Sequence, residues 1–292
     1  MSLTLDKLQK LKRQAGGDIA KSEPALTRVS PPLPRDSGRG ALASIEQLRQ
    51  LLRVRAPTPP TVRPDVDRSL PGIEIAEGLH LREATLSDDA IPDSFCGAFD
   101  RKDALDPSRM LFFDTETTGL AGGTGTRAFM IGAADWHDGA LRIRQLTMRT
   151  MAAEHAMLDV FRTWVAPDTV LVSYNGKCYD APLLATRYRL ARKANPLAGL
   201  AHVDLLYPTR RRYRGVYENC RLATIERQVL RIVREDDLPG SEAPAAWLSY
   251  LRGGSAQTLR RVLAHNHQDV ISLSRLLRHL SNTPPELQAL TL

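Results

Sequence analysis

The stretch MLFFDTETTGLAGGTGTRAF, residues 110–129, combines an apolar run, two acids separated by one residue, and a cluster of glycines. A continuous apolar run is typical of a central β-strand that is buried on both faces. Alternate residues of a strand share a face, so Asp114 and Glu116 project to the same side, at the carboxyl end of the strand. Ligands of α/β folds gather at that end, and oxygen ligands suit a hard ion such as Mg²⁺ or Mn²⁺. Acids at this spacing also occur by chance on surfaces, so the pair alone leaves both interpretations open.

The glycines after this strand lie at positions 119, 122, 123 and 125. They are not a phosphate-binding loop of the Walker type, because no lysine follows them and no helical pattern begins there. We interpret them as a turn between two strands, in which glycine permits positive φ and a close approach to the backbone. A sugar or phosphate beside the acids would contact the end of the strand and the start of this turn. The candidate contacts are Thr117, Gly119 and Leu120.

The periodicity of the surrounding segments predicts a mixed α/β domain. A short strand or a hairpin is expected in residues 70–86, at the margin of the domain. Two strands at 127–136 and 140–148 are separated by the turn signal His-Asp-Gly. A helix at 152–165, a strand at 169–175 and a helix at 179–194 follow. The rest of the chain is mostly helical, with helices predicted at 220–233, 243–254 and 256–280. This order predicts a mixed β-sheet flanked by helices.

Composition divides the 292 residues into three parts. Residues 1–70 contain 13 Lys and Arg against 7 Asp and Glu, a net charge of +6, and 8 of the 19 prolines. Residues 71–292 contain 27 Lys and Arg against 26 Asp and Glu, a net charge of +1. Such a basic, proline-rich segment is expected to be largely disordered, although residues 3–14 and 41–55 place leucines at helical spacing. These two stretches are either solvated helical turns or docking segments for a partner or nucleic acid. Residues 71–282 form the predicted domain, and residues 283–292 form a tail.

Several features indicate a cytoplasmic protein. No run of 18 apolar residues is present, and the first 17 residues are charged where a signal peptide needs an apolar stretch. Cys96, Cys178 and Cys220 show neither a disulfide pattern nor metal-binding spacing. We therefore expect free thiols, no zinc and no association with a membrane.

Two later segments carry further polar residues at positions that suit a site. In LVSYNGKCYDAPLL, a predicted strand ends at Asn175 and Asp180 lies where the next helix begins. In HNHQDVISL, His265 and Asp269 are four residues apart on a helix and share one face. A His–Asp pair at this spacing is often only a local hydrogen bond. Together with the acids of the first strand, however, these residues are a set that chance seldom assembles.

The motifs FFDTETTGL, YNGKCYDAPLL and HNHQDVISL, in this order and spacing, resemble the three exonuclease motifs of the DEDD division of the RNase H-like superfamily. More narrowly, FFDTETTGLAGGTGT, HVDLLYPTRR, ENCRLATIE, DDLPGSEAPAAW and HNHQDVISL resemble the bacterial YprB-type RNase H-like domain family. The resemblance covers about residues 71–282. It implies an RNase H-like, DnaQ-type exonuclease fold.

The resemblance also implies site residues and a reaction. Asp114, Glu116, Asp180 and Asp269 would be the metal-binding acids, and His265 would activate water. The implied cofactors are two Mg²⁺ or Mn²⁺ ions, which support in-line hydrolysis of a phosphodiester bond. The implied function is an exonuclease on nucleic acid, with DNA expected rather than RNA, 3′ to 5′ digestion, a role in DNA repair, and a helicase as a partner. The rival interpretation is a non-catalytic module that binds nucleic acid or a protein on the same fold.

Other polar residues have two interpretations each. Arg210, Arg211 and Arg212 stand between Tyr207 and Tyr213, a combination that suits phosphate contact and base stacking but also a solvated charged face. Lys177 either reaches a phosphate or is an ordinary turn lysine. The remaining assignments are structural or undecided: Asn175 fixes a strand end, Cys178 packs, and Asp204 is either a supporting acid of the site or a helix cap.

Overall fold

The computed structural model describes residues 66–87, 91–119, 124–235 and 237–282. The predictions for residues 1–65, for Leu120 and the glycines at 122 and 123, and for the tail at 283–292 lie outside these ranges. Within them, Asp67 and Arg68 already contact the domain. The backbone carbonyl of Asp67 accepts a hydrogen bond from the amide of Ala256, and Arg68 donates to the carbonyl oxygens of Tyr250 and Gly254.

The described residues contain a seven-stranded sheet with helices on both faces, which confirms the predicted fold class. The strands are β1 (Ile73–Ala76), β2 (Leu79–Ser87), β3 (Met110–Thr117), β4 (Ala128–His137), β5 (Ala140–Met148), β6 (Val170–Ser173) and β7 (Ala201–Asp204). The helices are α1 (Glu154–Thr163), α2 (Asp180–Leu190), α3 (Leu206–Tyr213), α4 (Leu222–Ile225), α5 (Ala243–Leu251) and α6 (Gln257–Asn282). None of these helices is long and apolar enough to cross a membrane.

The order of the strands in the sheet is β1-β2-β5-β4-β3-β6-β7. In this spatial order, each strand from β1 through β2, β5 and β4 to β3 is antiparallel to the next one. Strands β3, β6 and β7 run parallel to one another. Two-residue turns suit antiparallel neighbours, and the turn between β4 and β5 consists of Asp138 and Gly139, both at positive φ as a hairpin turn of this type requires. Parallel neighbours need a crossover, which α1 and α2 provide. Strand β3 therefore lies at the junction of the two halves of the sheet.

Two apolar clusters cover the two faces of the sheet. Phe113 of β3 belongs to the cluster that contains Phe161 of α1 and Trp247 of α5. Phe112, its neighbour in sequence, belongs to the opposite cluster, together with Leu277 of α6. The alternation in β3 thus buries both faces of the strand, as its continuous apolar pattern predicted.

Two predicted elements differ from the structure. Residues 220–233 were predicted as one helix, but only Leu222–Ile225 is α-helical, followed by a π-helical turn over Glu226–Leu230 that ends at Arg231 with φ 59°. The π turn shifts the hydrogen-bond register, so the regular 3.6-residue pattern of the sequence does not reveal it. Strand β7 and helix α3 were not predicted. For β7 the reason is its length, because the four residues Ala201–Asp204 are too few to show a period.

Candidate metal centre

The acids of β3 lie where the strand leaves the apolar core. Met110 and Phe112 face the cluster completed by α6, and the alternation of the strand carries Asp114 and Glu116 to the same face. Helix α6 crosses this end of β3 and brings His265, Asn266 and Asp269 there. The exposed fraction of Glu116 is only 7%. No hydrogen bond or ion pair joins its carboxylate to another described residue.

Asn266 holds Asp114 in place. Its Nδ2 donates to Oδ2 of Asp114 at 2.9 Å, and its Oδ1 accepts from Nε2 of Gln145 at 2.9 Å. This amide passes over Gly132 of β4, where a Cβ atom would come within 2.1 Å of Oδ1 of Asn266. The absence of a side chain at Gly132 therefore allows α6 to approach the sheet closely enough for the amide to reach Asp114.

Asp180 is positioned by the loop between β6 and α2. Asp204, fully buried at the end of β7, accepts hydrogen bonds from the backbone amides of Asn175 at 2.7 Å, Lys177 at 3.0 Å and Leu206 at 3.1 Å. These bonds hold Asn175 at φ 67°. Asp204 is therefore both a helix cap and the support of the loop, which answers the question that its position in the sequence left open.

The carboxylate of Asp180 is bound from the other side by β3. Its Oδ1 accepts a hydrogen bond from Oγ1 of Thr115, which stands between the two acids of that strand. A Cβ atom at residue 176 would meet the side chain of Ser173 at 2.4 Å and Oδ2 of Asp180 at 3.2 Å, so only glycine fits there without displacement. The loop and the strand together place Asp180 beside Asp114 and Glu116.

Burial and crowding raise the pKa values of these acids. Burial is the largest cause of the raised pKa of Asp114, and the charges of Asp269, Asp180 and Glu116 add to it, while the hydrogen bond from Asn266 opposes the rise. The pKa of Glu116 is raised well above its usual range by burial and then by Asp269 and Asp180. Burial raises the pKa of Asp180 to about 6. Protons bind these acids tightly because burial disfavours the charged form and because the fold places negative charges together.

The raised pKa values predict how the metal-free protein responds to pH. The folded state binds protons at these acids more tightly than the unfolded chain, so this contribution to stability is lost as pH rises from about 4 through 6 and above. Asp180 alone accounts for up to about 3 kcal/mol, since one pKa unit corresponds to about 1.4 kcal/mol. We expect the melting temperature of the parent in EDTA to fall between pH 5 and pH 8. In Asp180→Asn the melting temperature should fall by a smaller amount over the same range. Equal slopes for parent and variant would contradict the assignment.

A second group of charged residues surrounds Asp269. Arg234 donates to Oδ1 of Asp269. Its Nε and Nη2 also form a bidentate ion pair with the carboxylate of Glu226, with both hydrogen bonds measuring 2.6 Å. Glu226 is 1% exposed and also accepts a hydrogen bond from the hydroxyl of Ser272 on α6. Burial lowers the pKa of Arg234, but the hydrogen bonds and charges of Glu226 and Asp269 outweigh it and raise the pKa above the ordinary value. The guanidinium is therefore a permanent cation at the edge of the acidic site.

His265 lies between these two groups. Its Nδ1 is 2.7 Å from Oδ1 of Asp237, and its Nε2 is 3.4 Å from Oδ2 of Asp269. Glu116, His265 and Asp269 each offer one ligand atom, and these three atoms lie within 4.8 Å of one another. Carboxylate oxygens and one imidazole nitrogen form a donor set that fits a divalent ion. Asp114 and Asp180 border this cluster: the charge of Asp180 raises the pKa of Glu116, and the charges of Glu116 and Asp269 raise the pKa of Asp114.

The candidate substrate contacts fall into different places. Thr117 donates through its hydroxyl to the carbonyl of Gly119, and no atom of the described residues lies within 4 Å of a Cβ placed on Gly119. Arg211 donates to the carbonyl of Phe99 at 2.6 Å, and Arg212 lies over the ring of Tyr213. These two arginines are thus engaged within the fold. Arg210 lines a cavity of about 520 Å³ that Arg214 and Arg221 also border.

The remaining candidate contacts belong to the loop that carries Asp180. Asn175 and Lys177 contribute backbone amides to Asp204, and the side chain of Lys177 is exposed. Cys178 is exposed and its Sγ is 3.3 Å from the hydroxyl of Tyr207, so it does not pack in the core as expected. Three residues of the site were not found from the sequence: Arg234, Asp237 and Glu226. Asp237 stands in DDLPGSEAPAAW and Glu226 ends ENCRLATIE, two of the stretches that carried the family resemblance, whereas Arg234 lies outside them.

Comparison with known families agrees with this arrangement. The family model of the RNase H superfamily known as RNase_H_2 matches residues 111–281, more than half of the chain. The chain belongs to the RNase H superfamily. The match extends from β3, which carries the first two acids, to α6, which carries the last one.

Individual relatives match a similar share of the chain. The chain is 37% identical over 175 residues to the uncharacterized protein YprB of Bacillus subtilis (strain 168); the match covers 60% of this chain and 42% of YprB. Among solved structures, the family B DNA polymerase from Pyrobaculum calidifontis has 15% identity and a TM-score of 0.42, covering 62% of this chain and 29% of the polymerase. Exonuclease I of E. coli in complex with a 5cy-dT13 oligonucleotide has 13% identity and a TM-score of 0.39, covering 62% and 42%. The chain thus spans less than half of each of these proteins.

Proposed function

We propose that this RNase H superfamily member is a metal-dependent exonuclease of the DEDD type that hydrolyses DNA from the 3′ end. The observation that carries the proposal is the convergence of Asp114, Glu116, Asp180 and Asp269, contributed by β3, α2 and α6, on one end of the sheet. The negative charges of these acids repel one another: those of Asp269, Asp180 and Glu116 all raise the pKa of Asp114. The order in which they occur along the chain supports the DEDD assignment.

The reaction requires divalent ions as well as protein groups. Two Mg²⁺ or Mn²⁺ ions bound by the four acids would neutralise the phosphate and promote attack by water. Asp114, at the centre of the acids and held by Asn266, is the best candidate to bind both ions. Asp180, which Thr115 and the loop supported by Asp204 position, would hold the second ion. The lone pair of Nε2 of His265 faces the same acids and has two uses there, as proton acceptor or as ligand.

A basic surface near this site supports nucleic acid as the substrate. Tyr207 and Arg210 are exposed on α3, which follows directly on Asp204, and Arg210 lines the cavity shared with Arg214 and Arg221. Arginines bind phosphates, and exposed tyrosines stack on unpaired bases. A DNA single strand that reaches the acids would therefore find contacts along α3. A helicase as the source of such strands, and a role in DNA repair, stay predictions.

The proposal is tested by incubating the purified full-length protein with end-labelled single- and double-stranded DNA and RNA in Mn²⁺, Mg²⁺ or EDTA. We expect 5′-labelled DNA to shorten stepwise and 3′-labelled DNA to release its label at once, with no cleavage in EDTA. Faster digestion of RNA would change the substrate class but keep the reaction. Tight binding of nucleic acid without cleavage in either metal would favour the non-catalytic module instead.

A further inference from the structure

Two groups lie beside Nδ1 of His265: Oδ1 of Asp237 at 2.7 Å and Nη1 of Arg234 at 3.1 Å. The carboxylate oxygen is the nearer of the two, and it can only accept a hydrogen bond. A nitrogen and a carboxylate oxygen 2.7 Å apart need a proton between them, because two lone pairs at this distance repel. Asp237 therefore accepts a hydrogen bond from Nδ1–H of His265. In a neutral imidazole the second nitrogen then has a lone pair and no proton. Nε2 is the atom on the side of Asp269, so this lone pair points toward the acids.

Arg234 determines which oxygen of Asp269 faces the imidazole. The guanidinium donates through Nη2 to Oδ1 of Asp269, through Nε and Nη2 to Glu226, and its Nη1 lies on the side of His265 and Asp237. Oδ2 is consequently the atom that lies 3.4 Å from Nε2 of His265. Both atoms carry lone pairs when the ring is neutral, and no described donor stands between them.

Glu116 provides an independent observation at the same point. It is more than nine-tenths buried, its carboxylate bonds to no described residue, and one of its oxygens completes the cluster within 4.8 Å of Nε2 and of Asp269. A buried carboxylate without a partner is costly unless it binds a proton or a cation, and a metal ion competes with the proton for the same oxygens. Two ligand atoms on opposite sides of an ion, each with a bond of about 2.1 Å, are about 4.2 Å apart. If the longest distance among the three atoms shortened by less than 1 Å, all three could bind the same ion.

We propose that Nε2 of His265 is a metal ligand, which together with Glu116 and Asp269 binds one divalent ion, and that Asp237 is the positioning residue that holds the ring for this purpose. The inference rests on the metal site of the proposed function and assigns the imidazole a binding role instead of proton transfer. One nitrogen among oxygen ligands favours Mn²⁺ or another transition-metal ion over Mg²⁺, which prefers oxygen alone. The hydrogen bond from Nδ1 to a carboxylate is the usual support of a metal-binding histidine.

Pulsed electron paramagnetic resonance of the full-length protein with bound Mn²⁺ tests this directly. A coordinated imidazole couples its nitrogen spin to the manganese, so we expect a ¹⁴N signal that changes to ¹⁵N when only the histidines are labelled. The signal should be absent in His265→Ala and retained in His155→Ala, an exposed histidine of α1 that serves as the matched control. Manganese bound without nitrogen coupling would overturn the ligand role and leave the imidazole as a base or as a charged link between Asp237 and Asp269.

Calorimetric titration with Mn²⁺ and Mg²⁺ separates this inference from the proposed function. We expect His265→Ala to weaken Mn²⁺ binding about 10-fold or more and Mg²⁺ binding less, and Asp237→Asn to weaken Mn²⁺ binding by about 10–100-fold, the usual effect of losing a carboxylate behind a metal-binding histidine. Unchanged Mn²⁺ affinity in both variants overturns the inference while the exonuclease proposal stands. Absence of divalent binding in the parent protein overturns both.

Discussion

The Asp114→Asn variant is expected to lose phosphodiester hydrolysis completely while keeping its fold. Asp114 stands among Glu116, Asp180 and Asp269, and the amide oxygen of asparagine still accepts the hydrogen bond from Nδ2 of Asn266. Removal of the charge eliminates the ligand that is best placed to bind both ions. The loss should exceed the roughly 10²–10⁴-fold contribution of a proton-transfer residue. Initial rates with 5′-labelled single-stranded DNA in Mn²⁺ measure it.

The same variant should be more stable than the parent in EDTA at pH 7.5. Because burial and three neighbouring acids raise the pKa of Asp114, its ionised form destabilises the folded protein, and asparagine cannot ionise. Asp103→Asn, a change at an exposed acid, is the control and should alter neither quantity. Cleavage by Asp114→Asn at the parental rate, in a preparation shown to be free of other nucleases, would refute the assignment of the site.

The Arg234→Met variant is expected to lose about 3–5 kcal/mol of unfolding free energy, the usual cost of leaving a buried ionic partner unpaired. Arg234 forms both hydrogen bonds to Glu226, which is almost fully buried, and releasing that carboxylate leaves a charge in the core without compensation. Asp269 loses its hydrogen bond at the same time. Urea denaturation in EDTA, at one fixed pH, measures the change.

A matched pair nearby controls for the loss of an arginine as such. Arg227 contacts Glu218, both side chains are about half exposed, and Arg227→Met should cost less than about 1 kcal/mol. In the double variant Arg234→Met/Glu226→Gln the buried charge is absent, so part of the lost stability should return. A loss below 1 kcal/mol in Arg234→Met would contradict the assignment of the guanidinium as the group that compensates the buried charge of Glu226.

The part of the site that lies within regular elements was predictable from the sequence. The alternation of β3 placed Asp114 and Glu116 on one face, and helical spacing paired His265 with Asp269; the structure shows both arrangements. The predicted roles of these residues in metal binding stay predictions. The hairpin of β4 and β5 and the long helix α6 were also predictable, because a turn signal and a sustained apolar stripe mark them.

The residues that hold the site were not predictable, because their partners are distant in the sequence. Arg234 binds both Asp269 and Glu226. Glu226 begins a π-helical turn, and no periodic pattern in the sequence marks such a turn. Asp204 supports the loop at Asn175 from a strand of four residues. Hydrogen bonds to backbone amides leave no trace in residue type or spacing, so only the folded arrangement reveals them.

The contact between Gly132 and Asn266 links the size of one residue to the identity of another. Any side chain at position 132 would occupy the space of the amide, so the two cannot both be present with α6 at its current distance from the sheet. An RNase H-like chain that carries alanine or a larger residue at this position of β4 must have a shorter residue at the α6 position, or a helix that lies farther away. The two positions are therefore expected to vary together during evolution, and a single change at either one would disconnect α6 from Asp114 before a compensating change could restore the contact.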